Sequence, residues 1–599
     1  MIQAFDVNLR ALSLLALIFG MFLIYNAVTF SVVQRRDLLG RLRTIGVTRA
    51  EVLRLVLSEA AWIGLAGSAA GLGLGVLLAR GLVRMVTRTI NDLYFTVSVE
   101  GMALEPLLVM KAAGLGVGAT VIAALPPALE AARAEPRLTT LRSISEERTR
   151  RRVPWAAALG LALAGLGWTA LELSERSLGA SFAALALILS GLALLTPAGA
   201  VATVRLARPA VRVVAGTIGL VASRGVVASL SRTAPAIAAL AVAVSVTVGL
   251  GVMIESFRGT LARWLDTTLR ADVYVSLPGP TASRATGTLP PGLADAVVGH
   301  SAVAAHSTYR GIDVLEESGG YRMVFLDLDA RGEDAFDFLR GDAASIMRAF
   351  QQGAGVLVSE PFAFRRGFVE GDSVDIPTPA GSQRLRILGV FRDYGSDQGA
   401  LMVDRAVYDR FFDDPGVTSL ALFLEPGADS ERVVADLLAL VPEGRTVIAR
   451  THDTLRAASL DVFDRTFQVT AVLRLLAFIV AFVGVLSALM ALELERAREL
   501  GVMRAWGLTP ADLRKLVVTQ TGLIGFVSGV LAVPMGIVLS AVMIFVVNRR
   551  SFGWTLEMQI GPEVLAQALG LALVGALLAG IYPAWRMSQV SPALALRNE

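Results

Sequence analysis

Few of the residue types that do chemistry stand at spacings that would let them act together. The chain has just two lysines, Lys111 and Lys515, and neither stands in G-x-x-x-x-G-K-[ST], so the backbone cradle that would hold a nucleotide phosphate is missing. Three histidines, His300, His306 and His452, are too scattered for H-E-x-x-H, and no G-x-S-x-G occurs. Cysteine is absent, which removes thiolate nucleophiles, thiolate metal sites and disulfides together. Neighbouring acids such as Asp413 with Asp414, or Asp393 with Asp397, read as solvated turns rather than calcium ligands. No catalytic, cofactor-binding or metal site is expected, and the chain reads as no enzyme.

Composition says why. Of 599 residues, 54% are hydrophobic and 18% charged, and the mean hydropathy is +0.62, which places the chain among membrane proteins. Apolar windows long enough for a hydrocarbon core of roughly 30 Å predict nine spans. They lie near residues 11–33, 59–80, 108–128, 155–173, 179–204, 235–254, 467–492, 517–547 and 564–582. The span at 517–547 is longer than needed and contains Pro534, which predicts a tilt, a kink or an early end. The N-terminal run is too long for a signal peptide and lacks a small-residue cleavage site. The spans hold almost no ionisable groups at depth: Glu59, Glu172 and Arg474 stand near ends and Lys111 near an interface, which argues against an ion relay. Glycines such as Gly64, Gly67, Gly71, Gly73 and Gly75, or Gly525 and Gly529, read as close helix packing in lipid rather than a pore.

The elements that carry charge are repeated. Arg35 to Glu59, RRDLLGRLRTIGVTRAEVLRLVLSE, returns at a constant offset, so that Gly40 falls on Gly501, Arg43 on Arg504, Gly46 on Gly507 and Thr48 on Thr509. Glu51 then meets Asp512, and Arg54 meets Lys515. The shared G-x-T-x-x-[ED] predicts a helix ended at glycine and a second one capped by threonine and a carboxylate, a short helix–turn–helix. Positive charge after a span can also only fix topology or bind anionic lipid, but neither task calls for this capping pattern.

Orientation follows from the arginines, which cytoplasmic loops retain. They gather at Arg35 to Arg54, Arg133 to Arg152, Arg205 to Arg232, Arg496 to Lys515, and Arg586 and Arg597, while the opposite loops keep only Arg80, Arg84, Arg88, Arg176, Arg549 and Arg550. Both copies of the repeat are therefore expected in the cytoplasm. The net charge of +4 then needs no nucleic acid. Between the sixth and seventh spans, about residues 256–466, the sequence shifts to short strands such as ADVYVSLPG, YRMVFLDLD and TSLALFLEPG between Gly, Pro and Asp turns. SERVVADLLALV and ASIMRAFQQ fit helices on that sheet, giving an α+β extracytoplasmic domain.

RARELGVMRAWGLTPADLRKLVVTQ, from Arg496 to Gln520, and the closing IYPAWRMSQVSPALALR resemble the FtsX-like permease family, membrane subunits of ABC transporters of the macrolide-exporter and lipoprotein-releasing kind. The first copy closes alike in LPPALEAARAEPRLTTLR, with Pro127 opposite Pro583 and Pro136 opposite Pro592, but holds Leu38 where the family's glutamate stands as Glu499. The resemblance implies a polytopic α-helical membrane protein with pseudo-repeated FtsX-type bundles and one α+β extracytoplasmic domain of the MacB-like periplasmic core type. Its parts are a first transmembrane unit at 1–142 with a coupling segment at 35–58, a two-span linker at 143–234, and a stalk span at 235–255. The extracytoplasmic domain at 256–466 follows, then a second unit at 467–599 with a coupling segment at 496–519. Set against the family's ten-span tandem form, the odd span count leads us to expect a leading span, with or without a first soluble domain, before the first unit.

The same resemblance implies a division of labour. A cytoplasmic ABC ATPase dimer would dock on Arg43, Gly46, Thr48, Glu51 and Arg54 in the first copy, and on Glu499, Gly501, Arg504, Gly507, Thr509, Asp512 and Lys515 in the second. ATP would be used by that partner, with no cofactor bound by this chain. The expected location is the cell membrane, the inner membrane where there are two, with membrane lipid and an envelope adaptor or carrier protein as further partners. The expected function is to couple ATP hydrolysis to extracytoplasmic handling of an amphiphilic cargo such as a lipoprotein, lipid, peptide or macrolide. The alternative is a signal coupler that transports nothing and activates an envelope hydrolase or a sensor kinase.

Overall fold

The computed structural model describes residues 35–93, 105–133, 142–174, 177–278, 287–316, 320–442, 445–465 and 507–588, with scattered positions of 17–34 and 466–506. Among the described residues, seven helices are long and apolar enough to cross a membrane. They match seven of the nine expected spans; those at 11–33 and 467–492 fall largely outside the described residues.

The chain opens with α1, Arg36–Thr44, and then α2, Arg49–Leu93, and α3, Pro106–Arg133. Next come α4, Arg142–Leu173, α5, Leu178–Ala228, and α6, Leu230–Thr268. At 1.5 Å per residue α2 is about 68 Å long, so it projects beyond a bilayer core. Within α5 the backbone breaks at Gly216, φ 59° and ψ −139°, so that this element is two helices in series. The expected span at 179–204 is thus the first part of a longer helix that continues to this break.

After the sheet domain come α12, Pro510–Val542, a π-helical stretch Met543–Asn548, α13, Arg549–Phe552, and α14, Pro562–Ser588. Pro534 lies inside α12, so of the tilt, kink or early end that the sequence led us to expect, the early end does not occur. The ladder instead widens at 543–548, where one turn adopts the π form. In the second unit α12 is the centre, packed on α5, α6 and α14 through a core that includes Val244, Val248, Ile524, Val527, Ala572 and Ala576. Glycine allows the close approach: a Cβ on Gly536 would stand 2.5 Å from Val248, and one on Gly525 would stand 2.7 Å from Ala576. In the first unit α2 packs on α3, where Gly64 meets Thr120, but Gly67, Gly71, Gly73 and Gly75 have nothing within contact distance. Among the described residues, close packing accounts for Gly64, Gly525 and Gly529, while the other four meet no neighbour.

The domain between α6 and α12 is built on one nine-stranded mixed sheet. Its strands are β1, Val273–Ser276; β2, Val303–Val314; β3, Tyr321–Asp327; β4, Val356–Ser359; and β5, Ser373–Thr378. They continue as β6, Gly381–Phe391; β7, Ala400–Asp404; β8, Ser419–Leu424; and β9, Ile448–Thr451, and lie in the order β5-β6-β4-β7-β3-β2-β8-β1-β9. Five helices accompany them: α7, Leu293–Val298; α8, Ala343–Gln351; α9, Glu360–Arg366; α10, Arg405–Phe411; and α11, Ser430–Ala439. Alternation along β3 divides the core. Met323 and Phe325 pack with Phe362 of α9 and Tyr408 of α10, while Val324 and Leu326 pack with Ile346 and Phe350 of α8.

Candidate functional site

The capped turn of the repeated basic segment folds alike in both copies over the residues described, and local chemistry dictates how. Helix α1 ends where Gly46 takes φ 106°, a conformation that only glycine adopts without strain. Val47 N–H then donates to Leu42 O at 3.1 Å and Gly46 N–H to Arg43 O at 3.3 Å, the paired bonds of a Schellman stop. Two residues later Thr48 opens α2. Glu51 N–H donates to Thr48 Oγ1 at 3.3 Å, and Glu51 Oε2 accepts from Thr48 N–H at 2.8 Å and from its hydroxyl at 2.9 Å.

The second copy repeats each step. Gly507 has φ 102°, and Leu508 N–H donates to Met503 O at 3.2 Å. Asp512 N–H donates to Thr509 Oγ1 at 3.2 Å, while Asp512 Oδ2 accepts from Thr509 N–H at 3.2 Å and its hydroxyl at 2.7 Å. The apolar staple is also shared. Leu42, Val47 and Val52 pack beneath the first turn with Ala131 and Ala132 of α3, and Met503, Leu508 and Leu513 pack beneath the second with Ala584 of α14.

The two copies differ in their supports. Ile218 and Ala222, from the part of α5 beyond the Gly216 break, join the cluster under the second turn and tie it to the linker. The first turn is closed instead by Arg35, whose Nη1 lies 2.8 Å from Glu59 Oε1. Gln520 stands at the position matching Glu59, so the second copy has no acid there.

Of the residues expected to meet a partner, Arg43 turns inward, its Nη1 donating to Ala132 O at 3.1 Å at the C-terminal end of α3. Gly46, Thr48 and Glu51, like Gly507, Thr509 and Asp512, shape the turns. Arg54 and Lys515 are exposed on the second turns of α2 and α12. Glu499, Gly501 and Arg504 lie outside the described residues. One residue escaped the sequence reading: Ile45, 77% exposed at the apex of the first turn. The signal was present, since the matching position is Trp506, so both copies put an apolar residue directly before the glycine. A basic surface with an apolar knob at its tip can seat in a groove on another protein.

The far end of the second unit carries a second construction. Gly553 ends α13 with φ 79°, and residues 553–559 run under the sheet domain. Trp554 and Leu556 bury against Tyr394 and Ile544, with Phe257 and Trp264 of α6 beside them. Tyr394 OH donates to Thr555 O at 2.7 Å, Trp554 Nε1 to Ser396 O at 3.3 Å, and Arg365 Nη2 to Ser551 O at 3.1 Å. Buried Glu360 accepts from Thr555 N–H at 3.1 Å and from the Thr555 hydroxyl. Ser256 of α6 closes the joint, accepting from Gln559 N–H at 2.9 Å. The path Pro510–Phe552, about 64 Å of helix, thus runs from the capped turn to this joint.

Of the acids read as solvated turns, Asp414 is partly exposed, but Asp393 and Asp397 are buried, with Asp397 Oδ2 4.0 Å from Arg365 Nη2. Asp414 accepts from Arg310, Tyr408 and Gly416 N–H, and Asp393 from Gly395 N–H. Burial would raise the Asp414 carboxyl, but the hydrogen bonds from Gly416, Arg310 and Tyr408 outweigh it and hold it below the usual carboxylate range.

A capped turn repeated at the start of a long helix, and a sheet domain joined to the second copy, define a tandem-repeat multi-pass membrane protein. A family model described as FtsX-like permease C-terminal matches residues 10–136 and 471–592, the two halves of that repeat. An uncharacterized ABC transporter permease protein of Mycobacterium tuberculosis is 40% identical over 100% of this chain and 70% of its own length. The lipoprotein-releasing system transmembrane protein LolC of Xylella fastidiosa is 26% identical over 41% of this chain and 65% of its own. The macrolide export ATP-binding/permease protein MacB of Chromobacterium violaceum is 24% identical over 51% of this chain and 47% of its own. Among solved structures, the periplasmic region of MacB from Actinobacillus actinomycetemcomitans aligns at 12% identity with a TM-score of 0.23, covering 32% of this chain and 94% of that one. The chain belongs to the FtsX-like permease family, the permeases of ABC transporters.

Proposed function

We propose that this permease couples ATP hydrolysis by a separate cytoplasmic ATPase dimer to movement of the sheet domain outside the membrane, and so to handling of an amphiphilic cargo. The two capped turns are the docking points, Ile45 the knob of the first with Trp506 its counterpart in the sequence of the second, and Arg54 and Lys515 the flanking charges. Residues 35–58 and 496–519 act as coupling segments, the linker at 143–234 carries two spans, and the domain at 256–466 stands on the stalk at 235–255. ATP belongs to the partner, and the chain itself binds no cofactor. Its place is the cell membrane, the inner one where there are two, with an envelope adaptor or carrier as the cargo's next contact.

One observation carries this reading: Pro510–Phe552 runs from the second turn to the locked joint at Thr555, with only Gly553 and the buried Trp554 between helix and joint. A displacement of the turn by a closing ATPase dimer then reaches the sheet domain through a packed helix rather than a flexible connection. The cargo is lifted at the membrane surface, a reading supported by the scarcity of ionisable residues at depth in the sequence of the spans. Reconstitution tests it directly. The ATPase that co-purifies with the wild-type chain should hydrolyse ATP faster when a lipopeptide or macrolide cargo is added, and Tyr394→Phe with Glu360→Gln should remove that response while leaving the complex intact.

A further inference from the structure

On the membrane-proximal side of the sheet domain, α8, α9 and β6 enclose a groove of about 1060 Å³ with the outer end of the second unit. Its lining includes Arg340, Arg386 and Arg549, all exposed. Among the described residues none of the three has a carboxylate within ion-pair distance, whereas Arg310, Arg322, Arg392 and Arg405 of the same domain are each held by one. Of the acids in the lining, Glu360 is engaged by Thr555, and Glu370 stands exposed with Oε1 3.6 Å from where a Cβ on Gly341 would lie. The remaining wall is apolar: Phe364 and Phe368 are half-buried, and Val369 is 63% exposed.

Position decides what fits. Arg549 follows the π turn at the outer end of the span Pro510–Phe552, and Phe545, one turn earlier, is 51% exposed. An occupant therefore meets an apolar surface from the bilayer side and three cations at the polar end. We infer that this groove binds an anionic phospholipid from the adjoining leaflet, its phosphate between Arg340, Arg386 and Arg549 and its acyl chains along Phe364, Phe368 and Phe545. This rests on the permease reading for which leaflet is meant, and it gives the amphiphile of that reading a chemical class.

Binding of a tail-labelled fluorescent phosphatidylglycerol to the full-length chain in detergent micelles, read by anisotropy without any ATPase, tests it separately from docking. Saturable binding is expected, weakened about tenfold or more in Arg340→Gln/Arg386→Gln and likewise in Arg549→Gln, as lost charge-assisted hydrogen bonds require. Arg386→Lys keeps the charge and should retain most of the binding, and Arg410→Gln, an exposed arginine on α10, should leave it unchanged. Wild-type affinity in the double variant overturns the assignment. So does equal binding of phosphatidylcholine, equal loss in Arg410→Gln, or displacement by inorganic phosphate as effective as by lipid, which would mark a free-anion site.

Discussion

The Asp512 carboxylate closes on Thr509, accepting from its backbone N–H at 3.2 Å and its hydroxyl at 2.7 Å, and Glu51 closes on Thr48 in the same way. Each reciprocal cap satisfies orphan donors at the start of a long helix and fixes the angle at which the preceding helix leaves it. Thr509→Ala is expected to cost about 1 kcal/mol of local stability. Amide hydrogen exchange over 510–514 should quicken while the rest of α12 stays protected. Unchanged exchange there would show that tertiary packing alone holds the turn.

Gly46 and Gly507 should respond differently from other exposed glycines. Both have open space around them, so a side chain meets no neighbour, yet φ near +100° strains any residue with a Cβ. Gly507→Val should therefore weaken ATPase association with little change in thermal unfolding of the chain. Gly71→Ala, in helical backbone and equally open, should change neither. A Gly507→Val chain that holds its partner as well as wild type would argue that the turn's direction is irrelevant.

Packing in the second unit leaves no room at Gly525, where a Cβ would stand 2.7 Å from Ala576 and 2.8 Å from the Ala572 carbonyl. Gly525→Val must push α14 away from α12, at about 1–3 kcal/mol. Thermal unfolding in detergent should fall accordingly. A neutral result would mean that the two helices are not held at this distance.

Acid should loosen the sheet domain partly through Asp414. Its folded carboxyl sits below the usual range, so its contribution is complete above the unfolded value and is lost as pH falls through the folded one. The side chain is 39% exposed, which limits the effect to no more than about 1 kcal/mol. Asp414→Asn should flatten denaturant midpoints as pH falls from about 5 to about 2 relative to wild type. If both chains lose stability in parallel, the acid sensitivity lies elsewhere.

The turns were legible because their signals are local: glycine, threonine and an acid at fixed spacing specify a stop and a cap without reference to the rest of the fold. Strands such as VYVS, YRMVFLD and SLALFL were legible for the same reason, as short alternating or continuous apolar runs between turn residues. What could not be read depends on partners distant in sequence. Arg43 reads as a surface charge until Ala132 is placed beside it, and Glu360 reads as a helix start until Thr555 arrives almost two hundred residues later. The π turn at 543–548 has no breaker to announce it, and Pro534, which does look like one, is absorbed inside α12. The groove needs α8, α9, β6 and α13 together, so its three arginines look unrelated in the sequence.

The account turns on the paired capped elements as the seats of an ATPase, and co-purification tests this most directly. The full-length chain carrying Ile45→Asp and Arg54→Glu together with Lys515→Glu changes exposed side chains only, leaving both caps and both turn glycines in place. It should fold and insert as wild type does yet lose the ATPase that wild type retains through purification. Recovery of that ATPase in the wild-type ratio would contradict docking at these turns.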